Sequence, residues 1–571
     1  MLADSTAIFV LGHLSVTSRS PEHQLMAFWA PFLLLHLGGQ DNITAYAIED
    51  NELWLRHLQT LTVQVAAAAY VLYESFIIGS ESSLLLPAAI IMFAVGVVKY
   101  GERVWALKCA GSSSSGGNYR SLDRITATAF GPLTTRRDTE GFLSIAHRLL
   151  PVPLDLIKGP SRFVDFHYGT SKFHVEELYK VTEIQLSLMH DVFYTKAELV
   201  HTWYGLCVRV FLPLGTIAAL VLFLLPGDHH KDNHSRIDIA VTYVLLVGAV
   251  CVEITSALRA LFSSWTCAVL EQWEKGRNVW HILASLRRLL HMADWRRRYW
   301  SGPIGQQNLL ELCSHCWASK RSKMARWLGV EDTWNTFAYS FSIPVSESIK
   351  ELLVSQVLKS AEEDVSESSP DHIHNSRGRA VLKSWKLFEE LGWSITDIEF
   401  DDSIIVWHIA TGTYLYWYQK QAKDSGRQED GQQLAHAKEA EGLSNYMLFL
   451  LAAPLHATST CKPQCICPLD ANNLDRNAGG TTRYKKTMNS GTQLGAKLIS
   501  REQECSPPSS DMLKMISQVW VEMLCYAAHR CSAYSHAKQL GNGGELITIS
   551  ALLMEHIRRR TSMPKYRYLL D

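Results

Sequence analysis

Excess charge of either sign is the first thing this sequence lacks. Lys and Arg number 55 against 56 Asp and Glu over 571 residues, a formal net charge of −1, and the isoelectric point is near 7.1. That balance gives no global electrostatic footprint for nucleic acid, so no nucleic-acid partner is expected. Cysteine is sparse as well. The 12 present are scattered among apolar runs (Cys207, Cys251, Cys267) and polar ones (Cys461, Cys465, Cys467), unlike the dense, even spacing of a secreted disulfide scaffold; reduced thiols are expected. Catalytic signatures are missing too: there is no GxxxxGK[ST] phosphate loop, GxGxxG, HExxH or GxSxG elbow, and the glycines of residues 491–497 are wrongly spaced for a phosphate loop. No enzyme, cofactor or metal is therefore expected. Residues 1–16 lack the basic start and small-residue cleavage site of a signal peptide.

Long apolar runs are what the sequence does have, although a mean hydropathy of −0.02 averages them with a polar second half. A hydrocarbon core of about 30 Å takes about 17 to 25 helical residues. Residues 61–79, 84–100, 207–225 and 237–258 meet or approach that requirement, and 25–37 is a shorter fifth candidate flanked by Phe28 and Trp29. These predict a multi-pass transmembrane helical bundle within residues 1–260. The basic residues Lys275, Arg277, Arg287 and Arg288 follow the last run, and Arg103, Lys108, Arg120 and Arg124 open the long loop 101–206. The positive-inside rule then puts that loop and the C-terminal half on the cytosolic side. Which membrane is involved, plasma membrane or endomembrane, is left open by the residues.

Beyond the bundle, 261–345 reads as a juxtamembrane helical segment and 346–571 as a mostly helical cytosolic domain. Its periodic apolar segments fall near 349–359, 379–391, 403–418, 443–455, 512–540 and 545–558. The polar stretch 461–510 predicts a poorly ordered insert. The fold class expected is all-α.

The run FWAPFLLLHLGGQDNITAYAIEDNELWLRHL at 28–58 resembles the hallmark of a plant family of uncharacterised multi-pass membrane proteins, expanded in grasses. LSLMHDVFYTKA (186–197), SGPIGQQNLLELC (301–313), WHIAT (407–411), LSNYMLFLL (443–451) and WVEMLCYAAHRCSAYSHAKQLGNGGEL (520–546) are similar to further blocks of that family, in family order. The family joins domain of unknown function 4220 on the N-terminal side to domain of unknown function 594 at the C-terminus. Its members carry a further hydrophobic span and lead ahead of the segment matching residues 7–15, and this chain departs from them there. The resemblance implies a membrane location and no established activity.

Four carboxylates are the candidates for function. Glu74 and Glu253 fall inside expected spans, where charge is costly and marks ion or proton paths by default; each also suits a packing role with a Ser or Thr neighbour such as Ser75 or Thr255. Asp50 and Glu52 lie in the acidic connector 40–56, which reads either as a solvated helix carrying a Glu52 to Arg56 pair or as a carboxylate-lined mouth. Cys313, His315 and Cys316 suit zinc in type, yet the second pair of ligands a tetrahedral site needs is not nearby; His229, His230 and His234 read as loop polarity. The sequon at Asn233 lies in a loop too short to reach a glycosylating enzyme, and the one at Asn42 is on the cytosolic side. The partners expected are the lipid bilayer and an unidentified cytosolic protein. The function expected is a membrane-anchored scaffold or signalling-type protein; a transporter or channel using intramembrane carboxylates and a membrane-bound enzyme are the alternatives.

Overall fold

The computed structural model describes residues 2–17, 24–77, 85–112, 139–158, 175–225, 236–272, 277–291, 302–309, 341–366, 373–424, 431–452, 478–504, 511–541 and 545–561. The fold is all-α, and the only sheet among the described residues is a two-stranded one. The chain divides into two units, one made of residues 1–169, 184–299 and 540–542, the other of residues 170–183, 300–539 and 543–571.

The described helices of the first unit include α1 (Leu2–Thr17), α2 (Ala30–Leu37), α3 (Trp54–Leu72), α4 (Leu85–Ser112), α5 (Val175–Tyr194), α6 (Trp203–Leu224) and α7 (Arg236–Leu261). The first turns of α5 belong to the other unit. Among the described residues three stretches are long and apolar enough to cross a membrane, Leu85–Gly111, Trp203–Leu224 and Arg236–Leu261, which associates the chain with a membrane. Along α6 and α7 the side chains of Val210, Leu214, Val221, Val244, Val247 and Leu258 are exposed, as a hydrocarbon surround permits and water penalises. The inner faces pack through aromatics: Phe28 stacks on Phe223, Phe223 meets Tyr243 edge-on, and Trp29 Nε1 donates to Thr242 Oγ1 at 3.0 Å.

Two expected spans are not among these three helices. Most of the 61–79 run belongs to α3, which begins seven residues earlier and ends in a π-helical turn, Tyr73–Ile77. Arg56, His57, Gln59 and Gln64 lower its average apolarity, and it is not among the three. The 25–37 run is a short apolar helix broken at Phe28 and Trp29, with Pro31 opening its second part. The loop expected from residue 101 also starts later, because α4 continues to Ser112. Helix α5 does not run straight into α6: Thr202, extended at ψ 166°, caps α6 by accepting from Gly205 N at 3.1 Å. His229, His230, Asn233, His234, Cys313, His315, Cys316, Cys461, Cys465 and Cys467 lie outside the described residues. Helix α8 (Arg277–Leu289) closes the first unit.

The second unit holds β1 (Pro303–Gln306) paired antiparallel with β2 (Phe341–Pro344), then α9 (Glu347–Ser366), α10 (Phe400–Asp424), α11 (Gly431–Ala452), α12 (Ala478–Glu504), α13 (Asp511–Arg530) and α14 (Leu546–Thr561). Short helical turns at Arg379–Ser384, Phe388–Leu391 and Trp393–Thr396 replace the single segment expected over 379–391. Helix α12 falls where composition predicts little order. Its average polarity hides a stripe of Met488, Gly491, Leu494, Gly495 and Leu498, spaced three or four residues apart, with Leu494 and Leu498 fully buried. The two glycines let the backbone sit on α10: a Cβ at Gly491 would stand 2.7 Å from Ile409 Cβ, and one at Gly495 3.0 Å from Thr413 Cβ. Gly491→Val is therefore expected to push the two helices apart and destabilise the unit by about 2 to 4 kcal/mol, above the usual overpacking cost because the blocking atom is a rigid branched Cβ. Thermal unfolding of the full chain, compared with Gln493→Ala on the same helix, measures it.

Candidate functional site

The loop after α2 begins at Gly38 and Gly39, and backbone hydrogen bonds pin it to the end of α5: Thr44 N donates to Tyr194 O at 2.9 Å and Lys196 N to Asp41 O at 3.2 Å. The Asn51 side chain adds a bond to Phe193 O at 2.9 Å. Asp41 is thereby held over the inner faces of α4, α6 and α7. Each of those helices contributes charge inward, Lys99 and Glu102 from α4, Arg209 from α6 and Glu253 from α7, and Lys196 enters from the turn after α5.

These six side chains, five of them buried and Asp41 partly so, form one network. Lys99 Nζ stands 3.0 Å from Glu253 Oε1 and 3.7 Å from Asp41 Oδ1. Arg209 Nη2 bridges Glu102 Oε1 at 2.7 Å and Asp41 Oδ1 at 3.0 Å. Lys196 Nζ lies 3.2 Å from Glu102 Oε2 and 3.4 Å from Asp41 Oδ1, and donates to Gly38 O at 3.1 Å. Ser256 Oγ donates to the other Asp41 oxygen. Three cations face three carboxylates, so the network is neutral when every member is ionised. Gly38 is required by the close approach of Lys99, since a Cβ there would be 2.5 Å from Lys99 Cγ and 2.9 Å from its backbone carbonyl carbon.

Electrostatics follow from that crowding. Burial raises the Asp41 carboxyl, but Lys196, Arg209 and Lys99 outweigh it, and the Ser256 bond helps to hold the group well below the usual carboxylate range. Burial pulls the Lys196 ammonium down from the lysine range while Glu102 and Asp41 pull it up. A neutral lysine would leave those two carboxylates short of compensation, and an ammonium there balances them. By helix rise the cluster lies inside the apolar helices: Arg209 is about 9 Å from the start of α6, and Glu253 about 12 Å from the end of α7. Buried ion pairs are poor sources of stability but strong determinants of which groups meet. The network fixes four segments and a loop in one register.

The four sequence candidates separate. Glu253 is in the network, and its partner is Lys99 rather than a neighbouring hydroxyl; Thr255 Oγ1 instead bonds Cys251 O at 2.7 Å. Glu74, partly buried, sits on the π-helical turn after α3. Helix α3 packs on α4 with Asn51 against Gly111 at one end. Counting 1.5 Å per residue from that contact, Glu74 lies about 34 Å along and Lys99 about 18 Å, so Glu74 is roughly 16 Å beyond the level of Lys99. The two glutamates are not brought together. Asp50 accepts from Tyr46 N at 3.1 Å and Ala47 N at 3.2 Å, closing the turn that precedes Glu49–Glu52. Glu52 and Arg56 are both exposed and form no pair, because Leu53 (φ −89°, ψ 17°) breaks the helix between them and removes the one-turn spacing. Sequence reasoning passed over Glu102 and Lys196. Glu102 is one helical turn beyond Lys99, and that pairing of charges on one face of an apolar helix was the available signal.

In the second unit the quoted blocks interlock. Leu309 N donates to His408 Nε2 at 3.2 Å, so His408 Nδ1 donates to Ser444 Oγ at 2.8 Å. Gln306 Nε2 donates to Gly442 O at 3.0 Å. Trp520 Nε1 reaches Thr411 Oγ1 at 3.1 Å, Trp407 Nε1 reaches Ser394 Oγ at 3.1 Å, and Tyr446 OH donates to Glu545 Oε2 at 3.3 Å. Glu522 accepts from Ser376; burial pushes its carboxyl up to about 7, against that bond and the amides of Gly378, Val381 and Ala380. The helix that carries Trp520 ends at Arg530, because Ser532 restarts the chain by accepting from Ser535 N at 3.1 Å, and Tyr534 is left exposed. No group of three or more His, Cys, Asp or Glu suited to a metal occurs among the described residues.

The sequence model of a family described as Domain of unknown function (DUF4220) matches residues 1–313, which include all six members of the charge network. One described as Protein of unknown function, DUF594, matches residues 507–558, which include Trp520, Glu522 and Glu545. No curated protein and no solved structure matches the chain. With more than half of its length covered by the first of these matches, the chain belongs to the DUF4220 family.

Proposed function

We propose that this chain is a multi-pass membrane scaffold whose helical second unit, on the cytosolic side, recruits a protein partner. The observation that carries the reading is where the interior polar groups point. Lys99, Glu102, Lys196, Arg209, Glu253 and Asp41 bond one another, and His408, Trp520, Glu522 and Tyr446 bond groups inside their own unit. A catalyst or carrier needs polar groups aimed at a substrate; these are aimed at each other and fix packing. The working surface is then the outside of the second unit, where Tyr416, Leu434 and Tyr534 are exposed. The basic residues after α7 support the cytosolic side.

A proximity-labelling enzyme fused to the C-terminus tests this. The expected result is a reproducible cytosolic neighbour, together with protease cleavage of the C-terminal tag in sealed vesicles with the cytosolic face outward. A protected tag, or labelling that returns no shared cytosolic protein across tissues, overturns it.

One observation favours a second reading, a transporter or channel. The Lys99 to Glu253 pair lies within two apolar helices, and charges at such depth mark ion and proton paths. Proteoliposomes that leak protons or cations with the intact chain and stop leaking with Glu253→Gln would support that reading over the scaffold; equal leak from both would remove it.

A further inference from the structure

Helix α8 carries no carboxylate, and the sequence from Arg277 to Ala293 has none either, while it holds Arg287, Arg288, His281 and His291. Its residues sort into three sectors at 100° per residue. Leu283, Ala284 and Arg287 are buried against the rest of the unit. Asn278, His281, Ser285 and Arg288 make a polar edge. Between them, on an arc of about 100°, stand Val279, Ile282, Leu286, Leu289 and Leu290, all exposed, with Ile282 at 70 % and Leu289 at 73 %. An apolar stripe of that continuity has no place in water.

The position of the helix says what covers the stripe. Arg287 is anchored by Glu140 Oε1 at 3.2 Å and donates to Phe262 O. Phe262 is the residue after the end of α7, so the middle of α8 is fastened where the last apolar helix ends. Exposed Leu258 and Leu261 on α7 lead up to that point. We propose that α8 lies in the plane of a membrane surface, with Val279, Ile282, Leu286 and Leu289 in the acyl boundary and its basic edge among anionic lipid headgroups. The occupant is the same bilayer that α4, α6 and α7 suit, reached sideways. The role is separate from partner recruitment: an in-plane helix fixes the depth and tilt of the unit.

The test uses the full chain in vesicles of phosphatidylcholine and phosphatidylserine. p-Benzoylphenylalanine is placed one position at a time at Ile282, at Leu289 and at the inward-facing Trp280, each variant being checked for monodisperse elution before reconstitution. Photolysis followed by mass spectrometry should give lipid adducts at positions 282 and 289 with at least tenfold the yield found at 280, where crosslinks stay within the chain. Adducts at 282 and 289 to a second copy, to another protein, or no lipid adducts above the level at 280, would overturn the proposal.

Discussion

Lys99→Met is expected to destabilise the first unit by about 3 to 5 kcal/mol, and adding Glu253→Met is expected to recover most of that loss. The two side chains are 3 % and 1 % exposed and their charges stand 3.0 Å apart. Removing the ammonium strands the Glu253 carboxylate in an apolar helix bundle, where it meets no other cation of the network within ion-pair distance. Removing both charges leaves two flexible apolar chains of similar length, a replacement that buried pairs tolerate well. Recovery should be incomplete, because Lys99 also lies 3.7 Å from Asp41. Asp41 keeps Arg209, Lys196 and Ser256, so that residue should be small. A double-mutant cycle by thermal unfolding of the purified full chain, with Glu253→Met as the fourth corner, measures the coupling. Single losses below about 1 kcal/mol, or a double variant as unstable as the sum of the singles, would contradict the buried pair.

That cycle also shows why only part of the site was legible in the sequence. Apolar run length identified α4, α6 and α7, since period and composition are local properties. Glu253 was legible as a charge inside such a run. Its partner was not, because Lys99 lies 154 positions away in sequence and nothing local links the two. Asp41 and Lys196 were less legible still: both sit in loops, and their burial depends on backbone bonds between Thr44 and Tyr194 and between Lys196 and Asp41 that no pattern encodes. The reverse error occurred at α12, where glycine, serine and lysine read as a poorly ordered segment. There the glycines serve close packing on α10, so the residues that lower local helix propensity are those the tertiary contact requires. The Glu52 to Arg56 pair failed for a related reason: the spacing was right, but one non-helical residue, Leu53, intervened.

Acidification from pH 6.5 to pH 4 is expected to unfold the second unit before it disturbs the first. Burial holds His408, His536 and His556 neutral, with pKa values pushed down to about 4 from the ordinary 6.5. Geometry says the same of two of them. His408 Nε2 accepts the Leu309 amide, so a proton there would face an N–H; His536 is bonded on both nitrogens, to Thr548 Oγ1 at 3.1 Å and Ala528 O at 3.2 Å, as a neutral ring. A depressed histidine contributes stability that is complete above its unfolded value and is lost as pH falls through 6.5 toward 4, about 3 kcal/mol for each ring. Glu522 works in the opposite direction. Its carboxyl is raised from 4.5 to about 7, so protonation on folding adds stability as pH falls from 7 toward 4.5, about 3 kcal/mol. Three losses against one gain leave a net decline of roughly 6 kcal/mol, comparable to the whole stability of a domain. Backbone hydrogen exchange of the full chain, read on peptides from α10 and α13 at pH-corrected rates, should show protection collapsing below pH 5. Glu522→Gln should raise protection at pH 7.5, where the wild-type carboxylate is ionised at a cost, and steepen the decline toward pH 4 by removing the offset. Protection in α10 and α13 that stays constant across this range, or a Glu522→Gln profile parallel to wild type, would refute the assignment of these four groups as the unit's proton-linked residues.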